Sequence, residues 1–228
     1  MREDGLRYAL DLTGGHDCGL YLDTRQLRAW LRSQMGGARL LNCFAYTGSL
    51  GMAALAGGAA EVLHLDRSRA ALNLAKRSYT LNGLPIRRTD FWPADFWAAC
   101  SRLRREERLF DAVVLDPPFQ SAGSGGRMGL ADGGLALLNK VRPLVADGGR
   151  LVLVNNALYL SGQAFMATLE DLCTDGYLRL AQTIGVDEDC RGYPATRRES
   201  GLPDPAPFAH STKIAVLAVR RKDGRRAG

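Results

Sequence analysis

Histidine is scarce: three residues in 228, widely separated, give a histidine metal centre little support, and no metal is expected. Cysteine is hardly richer. Cys18, Cys43, Cys100, Cys173 and Cys190 are odd in number and form no CxxC pair, which excludes a disulfide framework or structural zinc and points to the reducing cytoplasm. No apolar run approaches the roughly 20 residues of a membrane span. Met1 to Gly5 do not lead into a signal-peptide core. What is present is 46% hydrophobic and 24% charged, the make-up of a globular protein with one continuous core. One domain over 1–228 is expected, with an N-terminal extension and helix (1–36), a core (37–220) and a basic tail (221–228). The net charge of +6 suits a polyanionic partner.

Strand and helix patterns alternate along the chain. Strands are expected at Arg39–Phe44, Glu61–Asp66, Arg87–Phe91, Ala112–Leu115, Arg150–Val154, Leu178–Val186 and Thr212–Arg220. Met1 to Gly19 reads as irregular or short β structure with a Gly14-Gly15 turn. Asp23 or Thr24 is expected to cap a helix to about Gln34, with Leu27, Trp30 and Leu31 on its apolar face. Further helices are expected over Leu50–Ala56, from Ser68 to Leu81, Asp95–Arg105, Gly133–Val145 and Gly162–Thr174. Ser121–Gly134 reads as a mobile loop and Asp187–Ser211 as a surface excursion. This is an α/β pattern: a seven-stranded, mostly parallel, doubly wound sheet, helices on both faces and the last strand antiparallel.

Open α/β sheets bind ligands at the carboxyl ends of their strands. Phe110 to Phe119 is a buried-strand pattern stopped by Asp116, after which Pro117 and Pro118 force a stiff, extended exit and leave Phe119 at the crevice mouth. The alternative is a plain strand-ending turn. The turn after the first strong strand, Asn42-Cys43-Phe44-Ala45-Tyr46-Thr47-Gly48, lacks the three glycines of a pyrophosphate loop, so NAD or FAD has little support. Asp66, about 24 residues beyond Asn42, stands where a ribose-binding acid is expected, or simply caps the next helix. Asp95 is either an adenine contact or another cap.

Gly19-Leu20-Tyr21-Leu22-Asp23-Thr24-Arg25, Leu41 to Gly48, Leu65-Asp66-Arg67-Ser68, Leu81-Asn82-Gly83 and Asp116-Pro117-Pro118-Phe119 occur in one order. Together they resemble the Rossmann-like class I S-adenosylmethionine-dependent methyltransferases of the large-subunit ribosomal RNA type, which modify a cytosine C5 or a guanine N7. The resemblance covers about Gly14 to Asn156 plus the closing strand. It implies S-adenosylmethionine as cofactor, held by Asn42, Phe44, Ala45, Tyr46, Thr47 and Gly48 at its methionine part. Asp66 with Arg67 and Ser68 would take the ribose, and Asp95 with Phe96 the adenine. It further implies that Arg25 pairs with the cofactor carboxylate, where the residues alone suggest a surface charge. Asp116, Pro117 and Phe119 would face the target base.

Two departures from the family matter. Addition to C6 of cytosine needs a thiolate, yet the strand after the Asp-Pro-Pro segment ends Asn155-Asn156-Ala157, without cysteine. That disfavours C5 methylation and favours a base nitrogen, with Asn155 or Asn156 on a base edge unless they merely end the strand. The RNA-binding domain that often precedes the catalytic domain is also expected to be absent. RNA would then be held by charge, through Arg102, Arg104, Arg105 and Arg108, through Arg220, Arg221, Lys222, Arg225 and Arg226, and through Arg127 of the glycine-rich loop. The rivals are a methyltransferase acting on a small molecule or protein, and a non-catalytic nucleic-acid-binding domain of the same fold.

Overall fold

The computed structural model describes residues 1–13, 18–118, 135–158, 160–190 and 211–227. A short hairpin, β1 (Arg2–Glu3) and β2 (Leu6–Arg7), precedes helix α1 (Arg25–Gln34). The chain then alternates: β3 (Arg39–Cys43), α2 (Ser49–Ala56), β4 (Glu61–Asp66), α3 (Arg69–Leu81), β5 (Phe91–Pro93), α4 (Phe96–Arg105), β6 (Phe110–Leu115), α5 (Leu135–Val141), β7 (Val145–Asn155) and α6 (Gly162–Cys173). It closes with β8 (Leu178–Ile184) and β9 (Lys213–Val219).

Seven strands form one sheet in the order β5-β4-β3-β6-β7-β9-β8. Neighbours from β5 to β7 pair in parallel, and β9 runs antiparallel to both β7 and β8. The centre of the sheet is buried on both faces, as its unbroken apolar runs require. In β6, Val113 and Leu115 pack into the core under α4, α5 and α6, while Ala112 and Val114 pack under α1 and α2. All four are at most 3% exposed, so each larger side chain contributes roughly 1.5–3 kcal/mol of burial. A third cluster, including Met52, Leu72 and Tyr79, joins α2 and α3 to the N-terminal hairpin through Leu6 and Tyr8.

Several boundaries differ from the sequence expectation, for local reasons. Arg88–Asp90 is an exposed 3-10 turn, and β5 begins only at Phe91, where a buried ring enters register with His64. Neither Asp23 nor Thr24 caps α1 through its side chain, because a 3-10 turn over Leu22–Thr24 leads into it. Thr24 Oγ1 donates to Tyr21 O at 3.0 Å instead. Gly148-Gly149 lies within β7, which starts at Val145. There the pairing with β6 jumps from Phe110–Val145 to Ala112–Arg150, and a side chain at 149 would meet the Asp111 carbonyl at 2.8 Å. The Gly14-Gly15 turn, the 121–134 loop, Gly133 and most of the 187–211 excursion lie outside the described residues.

Candidate active site

At the carboxyl edge of the parallel strands, a cleft of about 340 Å³ opens between the 3-10 turn before α1 and the loops after β3, β4, β6 and β7. The β3 loop is bent hard. Phe44 and Tyr46 adopt φ of 56° and 49°, and Gly48 follows at 72° as the residue before α2. A side chain at 48 would lie 2.9 Å from the Ala75 side chain and 3.0 Å from the His64 ring, so glycine is required twice over. Asp66, the last residue of β4, holds this loop. Its Oδ2 accepts the Tyr46 N–H and its Oδ1 the Ser68 N–H, both at 2.7 Å. Each oxygen keeps a second lone pair for a ligand hydroxyl.

Beneath the loop runs a buried polar chain. Asn42 Nδ2 lies 3.3 Å from His64 Nδ1, and His64 Nε2 lies 2.7 Å from the Tyr79 hydroxyl. Burial pushes His64 down to about 3 and Tyr79 upward, so both stay neutral at pH 7. With the Asn42 amide donating to Nδ1, His64 donates from Nε2 to Tyr79.

Across the cleft, Asp116 directly follows β6, and its carboxyl is pushed up to about 7, first by burial and then by the Asp23 carboxylate. Asp23 accepts a hydrogen bond from Thr212 Oγ1 at 2.5 Å. The turn carrying Asp23 is fixed by Arg28, which is 2% exposed. Arg28 meets Glu3 through a two-point bond at 2.6 and 2.8 Å, and its Nη1 donates to Tyr21 O and Thr24 Oγ1, both at 2.8 Å. The turn after β7 is held by Lys213, whose Nζ donates to Ala157 O and Leu160 O at 2.7 Å each.

Of the residues singled out in the sequence, Phe44, Ala45, Tyr46, Asp66, Arg67, Asp116 and Asn156 line the cleft together. Others stand behind it. Phe96 stacks on Phe44 at 4.9 Å, Thr47 Oγ1 donates to Gly19 O, and Asn155 Oδ1 accepts the Ala157 N–H at 3.1 Å. Ser68 and Asp95 cap α3 and α4, Asp95 through its Oδ1 alone. Asn42 points to His64 from within β3 and is 1% exposed. Arg25 does not line the cleft. Its Nη1 donates to Asp187 Oδ2 at 2.9 Å, its Nη2 lies 3.4 Å from Asp189, and its Nε lies 3.6 Å from Glu3. Phe119 and Arg127 lie outside the described residues. Sequence reasoning missed Tyr21, Asp23 and Thr212 as cleft residues. Among the described residues no group of His, Cys, Asp or Glu is placed to hold a metal ion, and no helix is long and apolar enough to cross a membrane.

A Rossmann-like sheet with a reversed strand inserted near one edge, and a strand-end acid braced by the adjacent loop, define the class. This chain belongs to the S-adenosylmethionine-dependent methyltransferase family, whose model matches residues 1–173. It is 31% identical over 177 residues to "Ribosomal RNA large subunit methyltransferase I" of Photobacterium profundum, covering 78% of this chain and 45% of that protein. The protein of that name from Aeromonas salmonicida is 33% identical over 175 residues, 77% of this chain and 44% of its own length. The chain thus spans about half the length of the curated relatives it matches. Among solved structures it resembles SMU.776, a methyltransferase crystallised with SAH, at a TM-score of 0.80 and 20% identity over 95% of this chain and 55% of that one. The SAM-dependent methyltransferase from Agrobacterium tumefaciens gives 0.70 at 21% identity, covering 97% and 69%. These two likenesses establish the fold.

Proposed function

We propose that the cleft binds S-adenosylmethionine and that the chain transfers its methyl group to a nitrogen of a base in ribosomal RNA. The single observation that carries the reading is Asp66: both its oxygens are fixed by backbone donors beside a sharply bent loop, ready for the paired hydroxyls of a ribose. Phe44, Ala45, Tyr46, Thr47 and Gly48 form the wall at the methionine part, with Asn42 supporting them from below. Arg67 and Ser68 flank the ribose, while Asp95 Oδ2, which the cap leaves unused, serves the adenine and Phe96 backs Phe44 from behind the cleft. Asp23 takes the ammonium group of the methionine. Arg25 acts at one remove, by tying the Asp187 segment to the start of α1.

When bound, the cofactor supplies a methyl carbon that is already electrophilic, so the protein's task is alignment. Asp116 or the Pro117 carbonyl accepts from an exocyclic amine of a base turned into the cleft, with Phe119 as stacking surface and Asn156 on the base edge. A carboxylate there makes the amine lone pair more available. Facing guanine N7, which carries no proton, it orients the base. Asn155 sets the turn that presents Asn156, and Arg127 contacts a phosphate. The names of the relatives and the net charge of +6 support an RNA substrate. Five free cysteines suit the reducing cytoplasm.

The test is incubation with labelled cofactor and total RNA. Label that disappears with ribonuclease supports the assignment, and label that survives it refutes it.

A further inference from the structure

The amino edge of the sheet, a full strand length from the cleft, carries a second concavity of about 290 Å³ where β9 ends and β8 begins. Four cations line it: Arg142, Arg220, Arg221 and Lys222. The Arg220 guanidinium carbon lies 5.2 Å and the Lys222 Nζ 5.0 Å from the centre of the Tyr177 ring. A ring attracts cations without neutralising them. Two acids, Asp175 and Asp223, line the same hollow, and each already faces an arginine. Asp223 binds Arg221 at 2.7 and 2.8 Å and Arg225 at 3.0 Å, and Asp175 lies 3.6 Å from Arg142. Among the described residues, neither Arg220 nor Lys222 reaches a carboxylate.

The cations sit on a fixed frame. Arg221, between the two, turns its guanidinium inward to Pro143 O at 2.6 Å and Val145 O at 3.0 Å, and its N–H donates to Asp147 Oδ1 at 2.8 Å. Asp147 N–H in turn donates to Arg225 O at 2.7 Å, and Arg220 N–H to Tyr177 O at 2.9 Å. The tail read from sequence as a run of charge is therefore strapped across the sheet edge, with alternate residues used for anchoring and for display. Holding two like charges over one ring is unfavourable until an anion arrives, and the preorganised frame lowers the ordering cost of binding one.

We propose that this cradle binds phosphates of the RNA backbone away from the methylated nucleotide. This rests on the RNA reading of the cleft. The hollow is at the small end for a pocket enclosing a whole ligand, whereas cations in a shallow hollow suit successive phosphates of a strand passing over it.

The experiment is fluorescence anisotropy of a fluorescein-labelled single-stranded RNA with the full chain and with Arg220→Glu/Lys222→Glu, between about 50 and 200 mM salt. Arg87→Glu/Arg88→Glu, on an exposed turn, carries the same change in charge as a control. The cradle variant is expected to bind roughly tenfold more weakly, with a salt slope shallower by about 1.5, or 0.7–0.9 per lost phosphate contact. Its affinity for S-adenosylhomocysteine stays unchanged, its KM for RNA rises and its kcat holds. An unchanged slope, or equal losses in the two variants, overturns the cradle while leaving the RNA reading intact. Failure of the parental chain to bind RNA overturns both.

Discussion

The two edges of the parallel sheet handle charge in opposite ways. At the carboxyl edge, Asp66 is satisfied by backbone N–H groups, Asp23 by a threonine hydroxyl, and Asp116 sits half-buried with no cation paired to it among the described residues. At the amino edge, guanidiniums meet side-chain acids. Arg39 and Arg108 share Glu61, and Arg221 and Arg225 share Asp223. Most of those arginines are structural and have little charge to spare. The carboxylates across the sheet keep lone pairs for a ligand. One composition thus yields a reactive edge and a braced one, divided by the direction of the strands.

Arg25 and Arg28 cross this division, pairing with Asp187, Asp189 and Glu3 beside the cleft, and Arg28 is the buried one of the two. Arg28→Ala leaves the buried Glu3 with only the 3.6 Å contact to Arg25 Nε, and is expected to cost about 3 kcal/mol, a fall in Tm of roughly 6–12 °C. Thermal unfolding followed by circular dichroism checks it; a change under about 2 °C would show that the pair holds nothing. Next, Asp116→Ala is expected to lower kcat about 100- to 1,000-fold while S-adenosylhomocysteine affinity stays within about threefold. Comparable losses in both would place Asp116 in the cofactor site instead.

The raised pKa of Asp116 gives a signed pH dependence. An acid whose folded pKa lies above its unfolded value binds its proton more tightly when folded. Its ionisation therefore weakens the fold as pH rises from about 4 to about 7. Asp116→Asn should gain about 1–2 kcal/mol of stability relative to the parental chain at pH 8, and nothing at pH 4, by denaturant titration. Methyl transfer to an amine should rise with pH through the same group. At saturating cofactor the midpoint falls below 7, because a cation beside a carboxylate favours its ionised form. Smallest is Arg221→Ala, which loosens the amino-edge strap for about 1 kcal/mol and leaves S-adenosylhomocysteine affinity unchanged. A loss of that affinity would mean that the edges are not independent.

Much of this was legible locally. The apolar run Ala112 to Leu115, the stop at Asp116, and the Ser68 and Asp95 caps all depend on neighbours a few residues away. What was not legible depends on distant partners. Arg25 meets acids more than 160 positions later, and Asp23 meets Thr212 across 189. No spacing rule reaches that far. Asn42 is placed by a distant partner too: it lies within β3, one residue before the strand ends, and is buried against His64. The β5 boundary slipped because polar residues before Phe91 fit a weak strand and a 3-10 turn equally well until the register with β4 is known.

The most direct test of the account is calorimetric titration of S-adenosylhomocysteine into the parental chain and Asp66→Ala. Micromolar binding by the parental chain, abolished by the substitution, is the predicted result. No heat from the parental chain at high ligand concentration, or equal binding by both, would contradict it.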